Sequence, residues 1–487
     1  MNEKYSGKWA ILFAVAATQF AVPFMISGVG VCLPAIGREF GASAIALSLV
    51  EAVFLCVNAM ALLPLGRAGD LCGRGAVFLL GLVLFSVSAL GLTLSPNMGV
   101  FLTIRGVQAF GGAMTLATGL ALLYDAFPFE ERGKALGISM AAVYLGISAG
   151  PFLGGIIVSA LGWRWLFYGG MFPCLISVAV CVRNLSWKPS PKPGERFDWP
   201  GTLTSALAIG LLVFGSAHTQ GAFGWWSMGA GLAVGGLFAA VELKTPAPLV
   251  DLRLFLSNKP FSLGLASTFT LGLSAFAGPF LLSLFLQFGQ GMTPAEAGTV
   301  LVVQPLVQCL VSLGAGRLAD RVPAHILAGA GSLFSTLGVC GAGFLQLGSP
   351  LWQVLAVLAV SGLGVGFFSA PNMVVIMSSV DPSRYGVASA LTGQARTTGM
   401  TACMAVVTIA LAHYLGDHAL GPEVVTDYVT AMGVLFAGFG ALGFVGTILA
   451  FLARKRSGAD TPGAPGASGD AGDAGYAKSA NASGGNP

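Results

Sequence analysis

Two ionisable side chains stand well inside long apolar runs. Glu51, the one acidic residue so placed, lies in the run 44–65, and Arg105 lies in the run 98–124. If both runs are membrane helices, each charge stands about seven residues from an outer end, or roughly 10 Å deep at the helical rise per residue. An ionisable group at that depth is a functional candidate, because it has exchanged water for some other partner. Burial disfavours the charged form of a carboxylate, and a nearby guanidinium favours it. A carboxylate that alternates between two such settings can load and release a proton. Glu51 and Arg105 are therefore candidates for coupling proton movement to another event. A structural ion pair is the alternative, and Arg105 could also snorkel to the outer surface. Arg396, in the run 385–413, lies about 18 Å from its inner end. There it would meet either a ligand or helix-end carbonyls.

Other residues have spacing suited to movement. The stretch GRAGDLCGRG at 66–75 places Gly66, Arg67, Asp70 and Arg74 at the end of an apolar run. Asp70 could accept charge-assisted bonds from Arg67 or Arg74, or cap a neighbouring helix. Such a latch would hold one conformation; a solvated basic loop is the alternative. GRLADR repeats the pattern with Gly316, Arg317 and Asp320. Gly146, Gly150, Gly154 and Gly155 recur at three- to four-residue spacing on one helical face. Pro151 adds a kink that packed neighbours can tolerate. The face is a bendable seam between two halves, or small-residue packing inside one.

The elements that must position these residues follow from composition. Of 487 residues, 55% are hydrophobic and 9% charged, against about 25% charged in soluble domains. Fourteen apolar segments are long enough to span a bilayer: 9–35, 44–65, 75–95, 98–124, 134–160, 163–183, 199–218, 224–243, 260–289, 295–316, 324–347, 351–379, 385–413 and 427–453. With the N-terminus inside, twenty of the 24 Lys and Arg fall in inner loops and tails. Only Arg38 and Arg164 fall outside, and Arg105 and Arg396 lie within spans. That asymmetry places both termini in the cytoplasm. The eight Trp sit near proposed helix ends, where an indole prefers to lie. The 70 Gly suit close helix packing. The eight Cys form no CxxC pair, so neither a metal nor a disulfide framework is expected. The first apolar run is too long for a signal peptide and is expected to be retained. The Gly/Ala/Ser/Asp-rich tail from Arg454 is expected to be disordered.

The repeat of G-R-x-x-D after the second and tenth segments divides the chain into halves. The expected fold is an all-α integral membrane protein: two six-helix halves plus an inserted helix pair, with 14 transmembrane helices. The units are 9–183, a linker with two inserted spans at 184–259, 260–453, and a cytoplasmic tail at 454–487. Parallel repeats of this kind place a substrate site between the halves near mid-membrane.

Further motifs follow in order: IRGVQAFGGA at 104–113, GISAGPFLGG at 146–155, GWRWLFYGGMFP at 162–173, FDWPG at 197–201, PLVDLRLF at 248–255, GLGVGFFSAP at 362–371, and the stretch around Gln394–Arg396. Together with 66–75 they resemble the major facilitator superfamily, specifically its fourteen-spanning drug:proton antiporter branch, over residues 10–453. The resemblance implies proton-driven export by alternating access, with the 146–155 face sealing the path against leak. One position departs from it. In FMISGVGVCLP the branch usually carries an acidic residue where this chain has Met25. Either Glu51 substitutes for it, or substrate and coupling differ.

Remaining cavity candidates are Gln19, Met114, Phe276, Phe280, Gln287, Phe367, Asn372 and Arg396. Aromatic and Met faces suit bulky apolar ligands, although such residues also line cores and lipid. Nothing resembles a phosphate-cradling loop, so ATP drive is not expected; the chain is expected to be no enzyme and to need no cofactor beyond a proton gradient. Expected partners are the lipid bilayer, a small apolar or amphipathic molecule and protons, without nucleic acid, and the protein is expected to be a monomer in a bacterial inner membrane. A proton-coupled importer or facilitator of a specific metabolite, and a non-transporting membrane sensor or scaffold, are the competing readings.

Overall fold

In a bilayer a single segment can satisfy its own backbone only as a helix, and the chain is built of helices throughout the parts that cross. The computed structural model describes residues 7–184, 197–245, 250, 252–318, 321–381, 385–416, 418 and 423–454. Among them, fourteen helices are long and apolar enough to cross a membrane. They are α1 (Lys8–Phe40), α2 (Ala44–Cys72), α3 (Arg74–Thr93), α4 (Met98–Ala126), α5 (Phe129–Leu161), α6 (Arg164–Asn184), α7 (Trp199–Ala217) and α8 (Ala222–Lys244). After a short helix, Leu252–Ser257, come α9 (Lys259–Gly289) and α10, which runs Pro294–Leu301 and then Val303–Leu318. The last four are α11 (Ala324–Ala342), α12 (Leu351–Ser378), α13 (Tyr385–Leu415) and α14 (Val425–Leu452).

Local signals set the ends. Ser43, Asn97, Asp198 and Asn258 each accept the backbone N–H three residues on, satisfying a donor that the helix itself leaves free. Thr293 and Glu296 form a reciprocal capping box at the start of α10. Gly41, at φ 59°, closes α1 in the left-handed conformation. The largest boundary difference from the sequence expectation is at the end of α2. Residues 66–72 are not loop but the last turns of α2, and the chain turns at Gly73 (φ 103°) before Arg74 starts α3. The apolar run stops at Gly66, but a helix can continue into a polar medium because its backbone bonds are internal.

The two halves repeat their packing. In α1–α6 the contacting pairs include α1 with α5 and α6, α2 with α4, and α3 with α4 and α6. In α9–α14 the same pairs recur as α9 with α13 and α14, α10 with α12, and α11 with α12 and α14. The match extends to single glycines. Gly81 of α3 and Gly331 of α11 are each the eighth residue of their helix, and Gly111 of α4 and Gly364 of α12 are each the fourteenth. A Cβ on Gly81 would stand 2.9 Å from the Gly111 carbonyl oxygen, and a Cβ on Gly331 would stand 2.9 Å from that of Gly364. Only small residues permit such backbone approach.

The halves meet along α2 against α13 and α5 against α10, and α1 touches α9 at one end. Helix α7 packs on both α2 and α13, and α8 packs on α7, so the extra pair covers one seam from outside. Hydrogen bonds between the halves gather at the end where α1 finishes. Ser283 and Gln287 of α9 donate to the Gly30 and Val31 carbonyls at 2.8 and 3.2 Å. Ser48 pairs with Thr408 at 2.9 Å, and the Ala295 N–H donates to Ser159 at 3.0 Å. Nearer the opposite end, Gln394 donates to the Ala59 carbonyl at 2.8 Å.

Candidate functional site

Two turns into α2, Glu51 projects into the N-terminal half, only 3% exposed. Arg105 of α4 is fully buried beside it. The guanidinium is held by what surrounds it. Its Nη1 donates to Gln108 Oε1 at 2.6 Å, its Nε donates weakly to the Val50 carbonyl at 3.5 Å, and its carbon lies 4.4 Å from the centre of the Phe54 ring. A cation over an aromatic face gains about 0.5–2 kcal/mol where water is excluded. Gln108 Nε2 then reaches Met25 Sδ at 3.8 Å. The sequence-predicted pair thus lies at one depth and on facing helices, since Arg105 touches both Val50 and Phe54. The two charges interact, and Cys32 of α1 lies in the same field.

Contact is nevertheless incomplete. Among the described residues, neither oxygen of Glu51 and no acceptor for Arg105 Nη2 completes a hydrogen bond. A buried ion without a close partner costs on the order of several kcal/mol. The arrangement therefore suits a carboxylate that exchanges a proton, and it is ill suited to a purely structural salt bridge. Asn58 Nδ2, further along α2, and Gln394 Oε1 of α13 also lack partners among the described residues. Asn58 stands seven residues after Glu51, on nearly the same face of α2.

The α5 glycines divide between two neighbours. A Cβ on Gly146 would meet the Phe20 carbonyl, and one on Gly150 would meet the Ser27 hydroxyl and, at 2.8 Å, the Phe24 carbonyl oxygen. Gly154 faces Gly28 at 3.4 Å. These three seat α5 on α1 of the same half rather than across the molecule. The contact between halves is made by the adjacent face: Gly155 lies against Pro294 and Ala295, and the Pro151 carbonyl against Gly298. Successive glycines four residues apart drift round a helix by about 40° per step, so they do not share one face over three turns.

At the other end, Arg74 Nη2 pairs with Asp70 at 2.7 Å and Nη1 with Asp125 at 2.9 Å. All three belong to the N-terminal half. Gly66 lies nearest Ala117 of α4, 3.9 Å from where its Cβ would stand. Arg67 has a partner of its own. Gly316 and Arg317 fall in the last turn of α10, and Asp320 lies outside the described residues.

The remaining cavity candidates are not brought to one place. Gln19, Met114, Phe280 and Asn372 are buried. Met114 packs on Gly81. Asn372 donates to the Gly264 carbonyl and Thr268 at 3.0 and 2.8 Å and accepts from Ser267 at 3.2 Å, tying α12 to α9. Gln287 belongs to the seam described above, and Phe276 and Phe367 are half-buried. Of Arg105 and Arg396, the two cations expected within spans, Arg396 is exposed, and it lies within electrostatic range of Tyr144 of α5 in the other half. Sequence reasoning missed Gln108, Asn58 and Tyr144. Gln108 was legible three residues after Arg105 and Asn58 seven after Glu51, whereas nothing local marks Tyr144.

Comparison with known proteins bears on this arrangement. The family model described as Major Facilitator Superfamily matches residues 15–402 and 263–478. A protein named as the riboflavin transporter RibZ of Clostridioides difficile is 28% identical over 449 residues, 92% of this chain and 98% of that one. The multidrug resistance protein Stp of Mycobacterium tuberculosis is 31% identical over 400 residues, 80% of this chain and 73% of its own. A tetracenomycin C resistance and export protein of Streptomyces glaucescens is 28% identical over 428 residues, 84% and 77%. In the fold alone, the crystal structure of an autoinhibited POT family peptide transporter superposes with a TM-score of 0.65 at 17% identity, covering 93% of this chain and 97% of that one.

Proposed function

We propose that this chain, which belongs to the Major Facilitator Superfamily, exports small amphipathic molecules in exchange for protons. The observation that carries the proposal is the carboxylate of Glu51, buried at membrane depth, with both oxygens unpartnered beside the buried guanidinium of Arg105. In this reading the halves rock about the α2/α13 and α5/α10 seams. With the Glu39 end closed by hydrogen bonds between the halves, substrate enters from the Asp70 end, which faces the cytoplasm. Rocking opens the Glu39 end, Glu51 takes a proton from outside, and substrate leaves. On the return stroke Glu51 approaches Arg105, whose charge favours the carboxylate, and the proton is released inward. The twelve helices of the halves form the path in a single subunit, in a bacterial inner membrane. The relatives named for resistance and export agree with this direction of transport.

A second reading is uptake of a specific metabolite, favoured by the likeness to a protein named as a riboflavin transporter along nearly its whole length. Reconstituted vesicles separate the two. Export predicts that an amphipathic dye accumulates in inside-out vesicles acidified within and leaves when the pH gradient is collapsed. Riboflavin entering right-side-out vesicles, with no dye movement under either gradient, would replace export with uptake.

A further inference from the structure

Among the described residues, one charge inside the membrane-spanning bundle has no opposite charge near it. Glu51 and Arg105 are enclosed together in the N-terminal half. Arg396, twelve residues into α13, is exposed, and among the described residues no hydrogen bond or ion pair engages its guanidinium. Exposure on a membrane helix means either lipid or an internal space, and the neighbours decide which. Arg396 lies within electrostatic range of Tyr144, and Tyr144 within range of Cys309 of α10. Tyr144 belongs to α5, on the face that seven and eleven residues later carries Pro151 and Gly155 into contact with α10. Arg396 therefore looks across the space between the halves. The described acidic side chains are elsewhere. Asp70, Asp125, Glu131 and Asp381 lie at one end of the bundle, Glu39, Glu296, Glu423 and Asp427 at the other, and Asp198 and Glu242 by the inserted pair. Met25 of α1 is buried against Gln108 and Gly170, within the N-terminal half.

A guanidinium facing an internal space without a counter-ion lacks its natural partner, a planar acidic oxygen pair. We infer that the substrate is an anion: an amphipathic molecule bearing a carboxylate or similar acidic group, which Arg396 receives while Tyr144 bounds the other side of the site. This rests on the export reading given above and adds the sign of the charge that the cleft accepts. Cationic amphipaths are disfavoured, because the charge of Arg396 repels them.

The test separates the cleft's charge from transport. Native Cys309 is the reporter. Its modification is followed by peptide mapping in the intact, reconstituted protein, using the anionic sulfonatoethyl and the cationic trimethylammonioethyl methanethiosulfonates, each rate divided by that with a free thiol. Any effect of Arg396 on the thiol itself cancels in the ratio. A unit charge about 10 Å away, even at the dielectric of water, favours the monoanion over the monocation about fourfold. We expect at least that preference, its loss in Arg396→Gln and its recovery in Arg396→Lys. Equal rates, or a preference that Arg396→Gln leaves unchanged, overturn the inference whatever the protein transports. In inside-out vesicles, fluorescein should be accumulated in preference to rhodamine 123, which shares its xanthene ring but is a cation, and Arg396→Glu should reverse the order. Rhodamine 123 favoured by the native protein also overturns it. If the anionic bias at Cys309 persists while neither dye moves under any gradient, the export reading falls and the anion site stands.

Discussion

At the scale of the residue, the question is what a buried carboxylate and a buried guanidinium do when they are near but not paired. Glu51→Gln keeps the shape and removes the titration. Uphill accumulation driven by a pH gradient is expected to fall by at least about tenfold, while gradient-free exchange survives, since binding and rocking do not need the charge. Wild-type pH dependence in Glu51→Gln would reduce Glu51 to a structural role. Arg105→Ala removes the contacts to Gln108, Val50 and Phe54 and leaves Glu51 without its nearest positive charge. It is expected to destabilise by about 3–5 kcal/mol, as breaking one side of a buried charge pair does. The double variant with Glu51→Gln should recover part of that loss in thermal unfolding in detergent, because the uncompensated charge is gone. No recovery would mean that the loss is one of packing alone.

Among the elements, α5 carries two kinds of contact, and substitutions should tell them apart. Gly150→Ala drives a methyl group into the Phe24 carbonyl, inside one half. Its expected effect is overpacking of about 1–3 kcal/mol, seen as a lower unfolding temperature. Gly155→Ala meets Pro294 across the seam. It should spare each half and weaken the closed arrangement at the Glu39 end. A cysteine placed at Ser159 should then react several-fold faster with an impermeant maleimide from that side, and an unchanged rate would show that Gly155 does not hold the seam. Where α2 meets α3, Asp70→Asn releases one of the two acids on Arg74. Exposed pairs contribute only about 0.2–1 kcal/mol each, so stability should hardly change. Turnover should fall if the pair must re-form in each cycle, and an identical exchange rate would return these residues to marking topology.

For the whole molecule, the sidedness inferred from twenty basic residues against two predicts an even number of crossings with both ends in the cytoplasm. Reporter fusions at residue 220, between α7 and α8, should report the outer side. Fusions at residue 456 should report the inner side. An outward residue 456 would break the assignment of the Asp70 end to the cytoplasm and, with it, the direction of substrate movement. The repeated pairings of α1–α6 in α9–α14 add a second expectation. Gly331→Leu in α11 should damage insertion and folding as severely as Gly81→Leu in α3, because each would force apart the same crossing in its own half.

The sequence by itself determined the number of spanning helices, their order and most of their ends to within a few residues, because in lipid a run of apolar residues has one way to satisfy its backbone. It also placed Glu51 and Arg105 at one depth, since helical rise converts residue number into distance along the membrane normal. Rotation about each helix axis was beyond its reach. Every face of a membrane helix is apolar, so periodicity does not separate the face toward lipid from the face toward protein. Only the packed structure could show that Arg105 touches Val50 and Phe54 without closing on Glu51. It also divided the α5 glycines between α1 and α10, took Asn372 and Met114 into packed interfaces, and left Arg396 exposed on α13. Those outcomes depend on which helices become neighbours and at what angle, and both are settled by backbone approach at glycines contributed from distant parts of the chain.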